Sequence, residues 1–227
     1  IESIRQTFNG AANFGRKVSC TIARNGDMIS RMYLQVTLPA LADGERWTHR
    51  VGLALIKSVE LEIGGQKIDK QFGEWFNIWN ELSLPLDKRQ GWQTMVGQEI
   101  IGVNPSQENG WNNENGAPQT TLYIPLEFWF CRNAGLALPL ISLQYHEVKV
   151  NFEFRNLSEL DRFNSRITNS YQIVDAALWC DYVYLDTDER RRFAQASHEY
   201  LIEQIQVVEQ SVRPNSSATR VDLTFNH

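Results

Sequence analysis

The stretch EVKVNFEF, residues 147–154, alternates without a slip: Val148, Val150, Phe152 and Phe154 fall on one side, and Glu147, Lys149, Asn151 and Glu153 on the other. A period of two places the two sets on opposite faces of a β-strand, one turned to a core and one to water. The same pattern recurs outward along the chain. Val18, Cys20 and Ile22 form one set; in Met28 to Leu38 the apolar set is Met28, Met32, Leu34, Val36 and Leu38; Val59, Leu61 and Ile63 alternate with Glu60 and Glu62. Leu122, Ile124, Leu126, Phe128 and Phe130 continue the series, and a last strand is expected from about Ala176 to Leu185. Asn25-Gly26 and Gly64-Gly65 supply the positive φ angles that tight turns require, so each predicts a hairpin. Six or seven strands are expected, with an eighth somewhere in 157–175. Short turns and long connections together point to an all-β fold of two antiparallel sheets packed face to face, a sandwich or jelly roll.

A helical insertion over about 71–97 breaks this pattern. Phe72, Trp75, Phe76, Trp79 and Leu82 recur at i, i+3, i+4, i+7 and stop at Pro85, which predicts an amphipathic helix; a second helix is expected to start at Asp87 with Gln90 as capping partner. Residues 102–119 (GVNPSQENGWNNENGAPQ) read as a long surface loop. Near the C-terminus, DTDERRRFAQ opens with Asp186 as N-cap and Glu189 three residues on, acids ahead of arginines. The following HEYLIEQIQVVEQ fits a helix and an extended segment equally well.

The chain has 227 residues, 42% hydrophobic, enough for one sizeable core or one domain and part of another. A net charge of −5 with scattered basic residues lacks the electrostatic signature of nucleic-acid binding, and no apolar run approaches the roughly 18 residues of a membrane helix. Three cysteines (Cys20, Cys131, Cys180) cannot close a disulfide framework and read as core thiols of a reducing compartment. Sequons at Asn156 and Asn215 are candidate glycosylation sites only in a glycosylating context.

Catalytic signatures are missing. Neither His146 nor His198 has a second histidine four residues on, so no metal site is nominated. No nucleophile elbow, phosphate-binding loop or dinucleotide fingerprint occurs, no base is nominated for Cys131, and the pair Glu60 and Glu62 reads as a solvated strand face. No catalytic residue, metal or cofactor is therefore assigned. Seven tryptophans raise the alternative of a carbohydrate-binding β-sandwich, with Trp111 in the polar loop as the exposed candidate; the others read as core or interface. Arg190 to Arg192 read as an ion-pair cluster with Asp186, Asp188 and Glu189.

Four stretches, FNGAANFGRKVSCTIARNGDMISRMYLQVTLP (8–39), WFNIWNELSLPLDKRQGW (75–92), LYIPLEFWFCRNAGLALPLISLQYHEVKVNFEF (122–154) and DYVYLDTDERRRFAQASHEYLIEQIQ (181–206), resemble the major capsid protein of nucleocytoplasmic large DNA viruses. The resemblance implies two tandem jelly rolls and a homotrimeric, pseudo-hexagonal capsomer that tiles an icosahedral shell. It further implies contacts with neighbouring capsomers and minor capsid proteins, no direct nucleic acid and no membrane insertion, and assembly in the host cytoplasm into the virion shell. On this reading residues 1–186 are the first jelly roll, 187–197 a connecting helix, and 198–227 the start of a second jelly roll, with the chain truncated at both ends relative to the family. The stretch around Cys131 is a family hallmark. Arg132 and Asn133 are expected where a strand ends, with Gly135 permitting a tight backbone and Pro139 barring a central strand. Arg132 and Asn133 either support a subunit contact or hold a connection by bonds within the domain.

Overall fold

The computed structural model describes all residues except 99, 101–115, 162–166, 209, 212–219 and 226–227. In chain order the elements are β1 (Glu2–Gln6), β2 (Lys17–Thr21), β3 (Met28–Leu38), the short helix α1 (Val51–Leu55), β4 (Ile56–Ile63), β5 (Gln66–Gln71), helices α2 (Gly73–Ser83) and α3 (Leu86–Met95), β6 (Thr120–Pro125), the one-turn helix α4 (Trp129–Arg132), β7 (Leu138–Pro139), β8 (Val148–Phe154), β9 (Asp175–Val183) and α5 (Thr187–Gln195). One sheet runs β1-β9-β3-β6 with β7 paired to β3, the other β2-β8-β4-β5, and every pairing is antiparallel. This is a jelly roll. The pairs β1·β9, β2·β8, β3·β6 and β4·β5 nest like one long hairpin folded over on itself, with Gly64-Gly65 at its tip. Both of those glycines have positive φ, as the tight β4–β5 turn requires.

The inward faces are those expected from alternation. Val18 and Cys20 of β2, Val59 and Leu61 of β4, and Val150, Phe152 and Phe154 of β8 meet Met32, Leu34 and Val36 of β3, Ile124 of β6, and Leu178, Cys180 and Tyr182 of β9 in one buried cluster. Phe152 stacks on Phe154 at 5.9 Å and is met edge-on by Phe8 at 5.5 Å. Burial pushes the Cys20 thiol up to about 11, so it behaves as a small core hydrophobe.

Several expectations are corrected. Asn25-Gly26 makes no hairpin, because β2 and β3 lie in different sheets; Gly26 is instead required by close packing, since a Cβ there would sit 2.8 Å from Cβ of Tyr182. The strand expected through Phe130 stops at Pro125, and Leu126, Phe128, Trp129 and Phe130 are all buried, a pattern the turn of α4 accommodates and a half-buried strand does not. Among the described residues of 157–174 there is no separate strand, and β9 begins at Asp175. The strands that alternation did not show are β1, whose inward side is the partly buried Ile4 and the buried polar Gln6, and the two-residue β7. Helix α3 starts at Leu86 behind Pro85, with no side-chain cap from Asp87. Leu82 does not join the buried stripe of α2, which consists of Phe76 and Asn80 flanked by Trp75 and Trp79. After α5, residues 198–208 form neither helix nor strand. Asp186 does cap α5, accepting from the backbone N–H of Asp188 and Glu189. Of the expected arginine cluster, Arg191 pairs with Asp188 at 3.9 Å, whereas Arg190 pairs with buried Asp27 at 2.8 Å.

One connection depends on a buried carboxylate. Glu45, on the crossing from β3 to α1, accepts from the Thr168 and Asn169 backbone N–H groups (2.8 and 3.2 Å) and from the hydroxyl of Tyr171. Burial by itself would raise this carboxyl, but the bonds from Tyr171, Thr168 and Asn169 outweigh it and lower it to about 2 from an ordinary 4.5. Because the folded value is depressed, the resulting stability is present above pH 4.5 and is lost as pH falls toward 2. Glu45→Gln is expected to cost on the order of 2 kcal/mol at pH 7. In urea titrations the gap between wild type and variant should close as pH drops from 4.5 to 2.

Candidate functional site

The hallmark around Cys131 divides into residues with different tasks. Arg132 ends α4 with its side chain 11% exposed. Its Nε donates to the Glu127 carbonyl at 2.9 Å, its Nη1 pairs with Glu203 at 2.9 Å, and its guanidinium lies 4.3 Å from the Trp79 ring centre. Asn133 is exposed and acts locally: its Oδ1 accepts from the Gly135 N–H at 2.9 Å and caps the turn Ala134–Leu136. Gly135 lies within that tight turn without a left-handed backbone. Pro139 lies in β7, a two-residue strand that pairs only with the Met28–Ile29 end of β3, where no donor is required of it. Asn156 is exposed just after β8, its Nδ2 bonded to Glu159 at 3.1 Å; Asn215 and Trp111 lie outside the described residues.

Around Arg132 the fold assembles a polar cluster inside apolar surroundings. Gln71, fully buried on β5, donates to Asp69 at 2.8 Å and to the Glu127 carbonyl at 2.9 Å. Asn80, on the inward side of α2, donates to the Phe76 carbonyl at 2.8 Å and to the Glu127 carboxylate at 3.0 Å. Asp69 accepts from the Ile205 N–H at 3.2 Å, and Gln204 donates to the Ile68 carbonyl on the open edge of β5. The cluster thereby joins β5, α2, α4 and the segment beyond α5. Burial raises Asp69, against the opposing bonds from Ile205 and Gln71 and the charge of Arg132; burial likewise raises Glu127 against Asn80 and Arg132. Only Arg132 was singled out by its sequence. Asn80 left one trace, an amide in the apolar face of a helix, and Asp69 looked like any outward strand residue.

Beside the cluster, α2 turns an apolar side outward. Ile78 is 51% and Leu82 81% exposed, and the half-buried Trp75 shares their side of the helix and packs against Trp79 at 5.8 Å. Leu86, at the elbow into α3, is 83% exposed. A groove of 670 Å³ runs along this helix, lined by Phe72, Trp75, Ile78, Ile205 and Val207 and rimmed by charged residues such as Lys57 and Arg155. Single exposed apolar residues are ordinary, but several on one helix side next to an apolar groove mark a contact surface. By contrast Trp47, Trp92 and Trp129 are buried, and Glu60 pairs with Lys67 at 3.1 Å on the solvated face of β4.

A family model described as the N-terminus of the major capsid protein matches residues 1–186. The major capsid protein of Pyramimonas orientalis virus is 50% identical over 229 residues, covering all of this chain and 54% of that protein. That of Phaeocystis pouchetii virus is 47% identical over 259 residues, covering all of this chain and 49% of its own length. A subunit of the quasi-atomic PBCV-1 virus capsid superposes with a TM-score of 0.75 at 41% identity, over 90% of this chain and 47% of that one. The chain thus spans about half the length of the relatives it matches.

Removing the guanidinium leaves Asp69 and Glu127 without their shared cation, so both carboxyls rise further. A carboxyl raised by folding favours the folded state at low pH and opposes it as pH climbs through its folded value. Arg132→Ala is therefore expected to cost about 3 kcal/mol. Urea titration should show the larger deficit at pH 7 and a smaller one at pH 5, and limited proteolysis should cut 198–208 faster.

Proposed function

The chain belongs to the major capsid protein family of large DNA viruses, and on that premise we propose that it supplies the first jelly roll of a shell-building subunit that associates with further copies through the outer side of α2. The role is structural, not catalytic. The observation that carries the assembly surface is the exposure of Ile78 and Leu82 on a helix whose other side is anchored in the core. Burying each such side chain is worth about 1.5–3 kcal/mol, a return a lone copy forgoes.

In this reading residues 1–186 form the first jelly roll, 187–197 the connecting helix, and 198–227 the opening of a second. Three copies make a pseudo-hexagonal capsomer, which meets neighbouring capsomers and minor capsid proteins as the shell is built in the host cytoplasm. Arg132 serves the subunit by holding the segment beyond α5 on the first roll, through Glu203 and the cluster that reaches Ile205. A charge of −5 suits a shell that neither grips the genome nor enters a membrane. The sugar-binding alternative gains nothing from the burial of Trp47, Trp92 and Trp129.

Light scattering on the full-length polypeptide should give a trimer for wild type. Ile78→Asp and Leu82→Asp should shift it to monomer with melting temperatures changed by no more than a few degrees. A wild-type monomer at micromolar concentration would refute the reading.

A further inference from the structure

Arg50 is the one non-glycine residue with a left-handed backbone among those described, at φ 51° and ψ 46°. An arginine gains nothing intrinsic from that region, and such a conformation persists only where the surroundings dictate it. The surroundings here are the helical insertion. Its Nε donates to the Gln98 side chain at 2.6 Å, just past α3; Nη1 donates to Asn77 and Nη2 to Glu81 at 2.6 Å, one turn apart on α2. The guanidinium also lies 5.2 Å from the ring centre of Trp92, on α3. Glu81 in turn holds Arg89 of α3. The backbone repeats the convergence, with the N–H groups of Arg50, Val51 and Gly52 donating to the carbonyls of Gln98, Gly97 and Val96.

One planar group therefore reaches both insertion helices and the chain that leaves them, and it does so from the crossing between β3 and α1. Helix α2 is also tied to the body of the fold by Asn80 to Glu127 and by Glu74 to Arg155. Among the described residues, however, the side-chain polar contacts that join α2 to α3 run through Arg50 and the Glu81–Arg89 pair, with Phe76 the apolar anchor of α2 and Trp92, the ring Arg50 covers, that of α3. Asn77 and Glu81 flank the outward side made by Trp75, Ile78 and Leu82, so what holds the former aims the latter. We propose that Arg50 is a positioning residue for assembly, locking α2 and α3 into the arrangement that presents this apolar side to another copy. The inference rests on the association surface proposed above and adds the device that sets it.

The test uses the full-length polypeptide with Arg50→Ala, Arg50→Lys and Arg50→Gly, beside Leu82→Asp. Association is followed by sedimentation across a dilution series, and hydrogen exchange reports α2–α3 and β4–β8 separately. R50A is expected to raise the midpoint concentration of association at least tenfold, with faster exchange in α2 and α3 and unchanged protection in β4 and β8. R50G, which relieves the backbone but lacks the guanidinium, should behave like R50A, and R50K, which lacks the planar fork, should fall between. In a Leu82→Ala background the effect of R50A should shrink, because both act through one surface. If L82D dissociates the protein and R50A does not, the inference fails and the surface stands. If R50A unprotects the sheets as much as the helices, Arg50 is a general folding residue and the inference also fails. If L82D leaves association intact, the surface itself is wrong, and the role of Arg50 falls with it.

Discussion

Each of the first four strands lies in the opposite sheet from the one before it, so the backbone crosses between layers at every connection from β1 to β4. A crossing cannot use the sheet ladder for its polar groups, and a core that closes around it exacts a cost for each group left unpaired. Charged side chains meet that demand. Asp27 takes the Leu185 N–H and Arg190 at the β2–β3 crossing, and Arg24 beside it donates to the carbonyls of Leu143, Gln144 and His146. Glu45 and Arg50 do the same between β3 and α1, and Arg155, after β8, reaches the Ala54 carbonyl and Glu74. Arg132 belongs to this group.

These ions explain why the fold was far more legible in the sequence than its site. Alternation at Val148–Phe154 and at Met28–Leu38 reports which face is dry, since a one-residue slip would invert every side chain. It therefore gave both sheets and most of the core. A crossing has no period. Asp27 and Glu45 look like ordinary loop acids, and nothing near Arg50 announces a left-handed residue, a conformation that glycine or asparagine would take more readily. The Asn25-Gly26 pair misled for the same reason: its composition signals a tight turn, while the packing of Gly26 under Tyr182 is a tertiary fact.

The helical insertion shows a further limit. Placing Trp75, Phe76, Trp79 and Leu82 in one stripe made Leu82 part of the core, although an arc that includes Ile78, Leu82 and Trp75 faces away from Phe76 and Asn80. A stripe too wide for one interface is itself information. In the proposed function the surplus is the surface through which copies associate, and the inward Asn80, tied to Glu127, helps orient the helix so that this surplus lies outside.

The nested pairing also dictates an order in time. None of β1 to β4 pairs with another of the four, and Glu2 must find Tyr182 across almost the whole domain while Ile63 meets Gln66 at once. Loop closure favours the short partnership first, so zippering proceeds from Gly64-Gly65 back toward the N-terminus. During synthesis the opening third of the domain leaves the ribosome with its apolar sides bare, waiting for mates that are translated last and in reverse order.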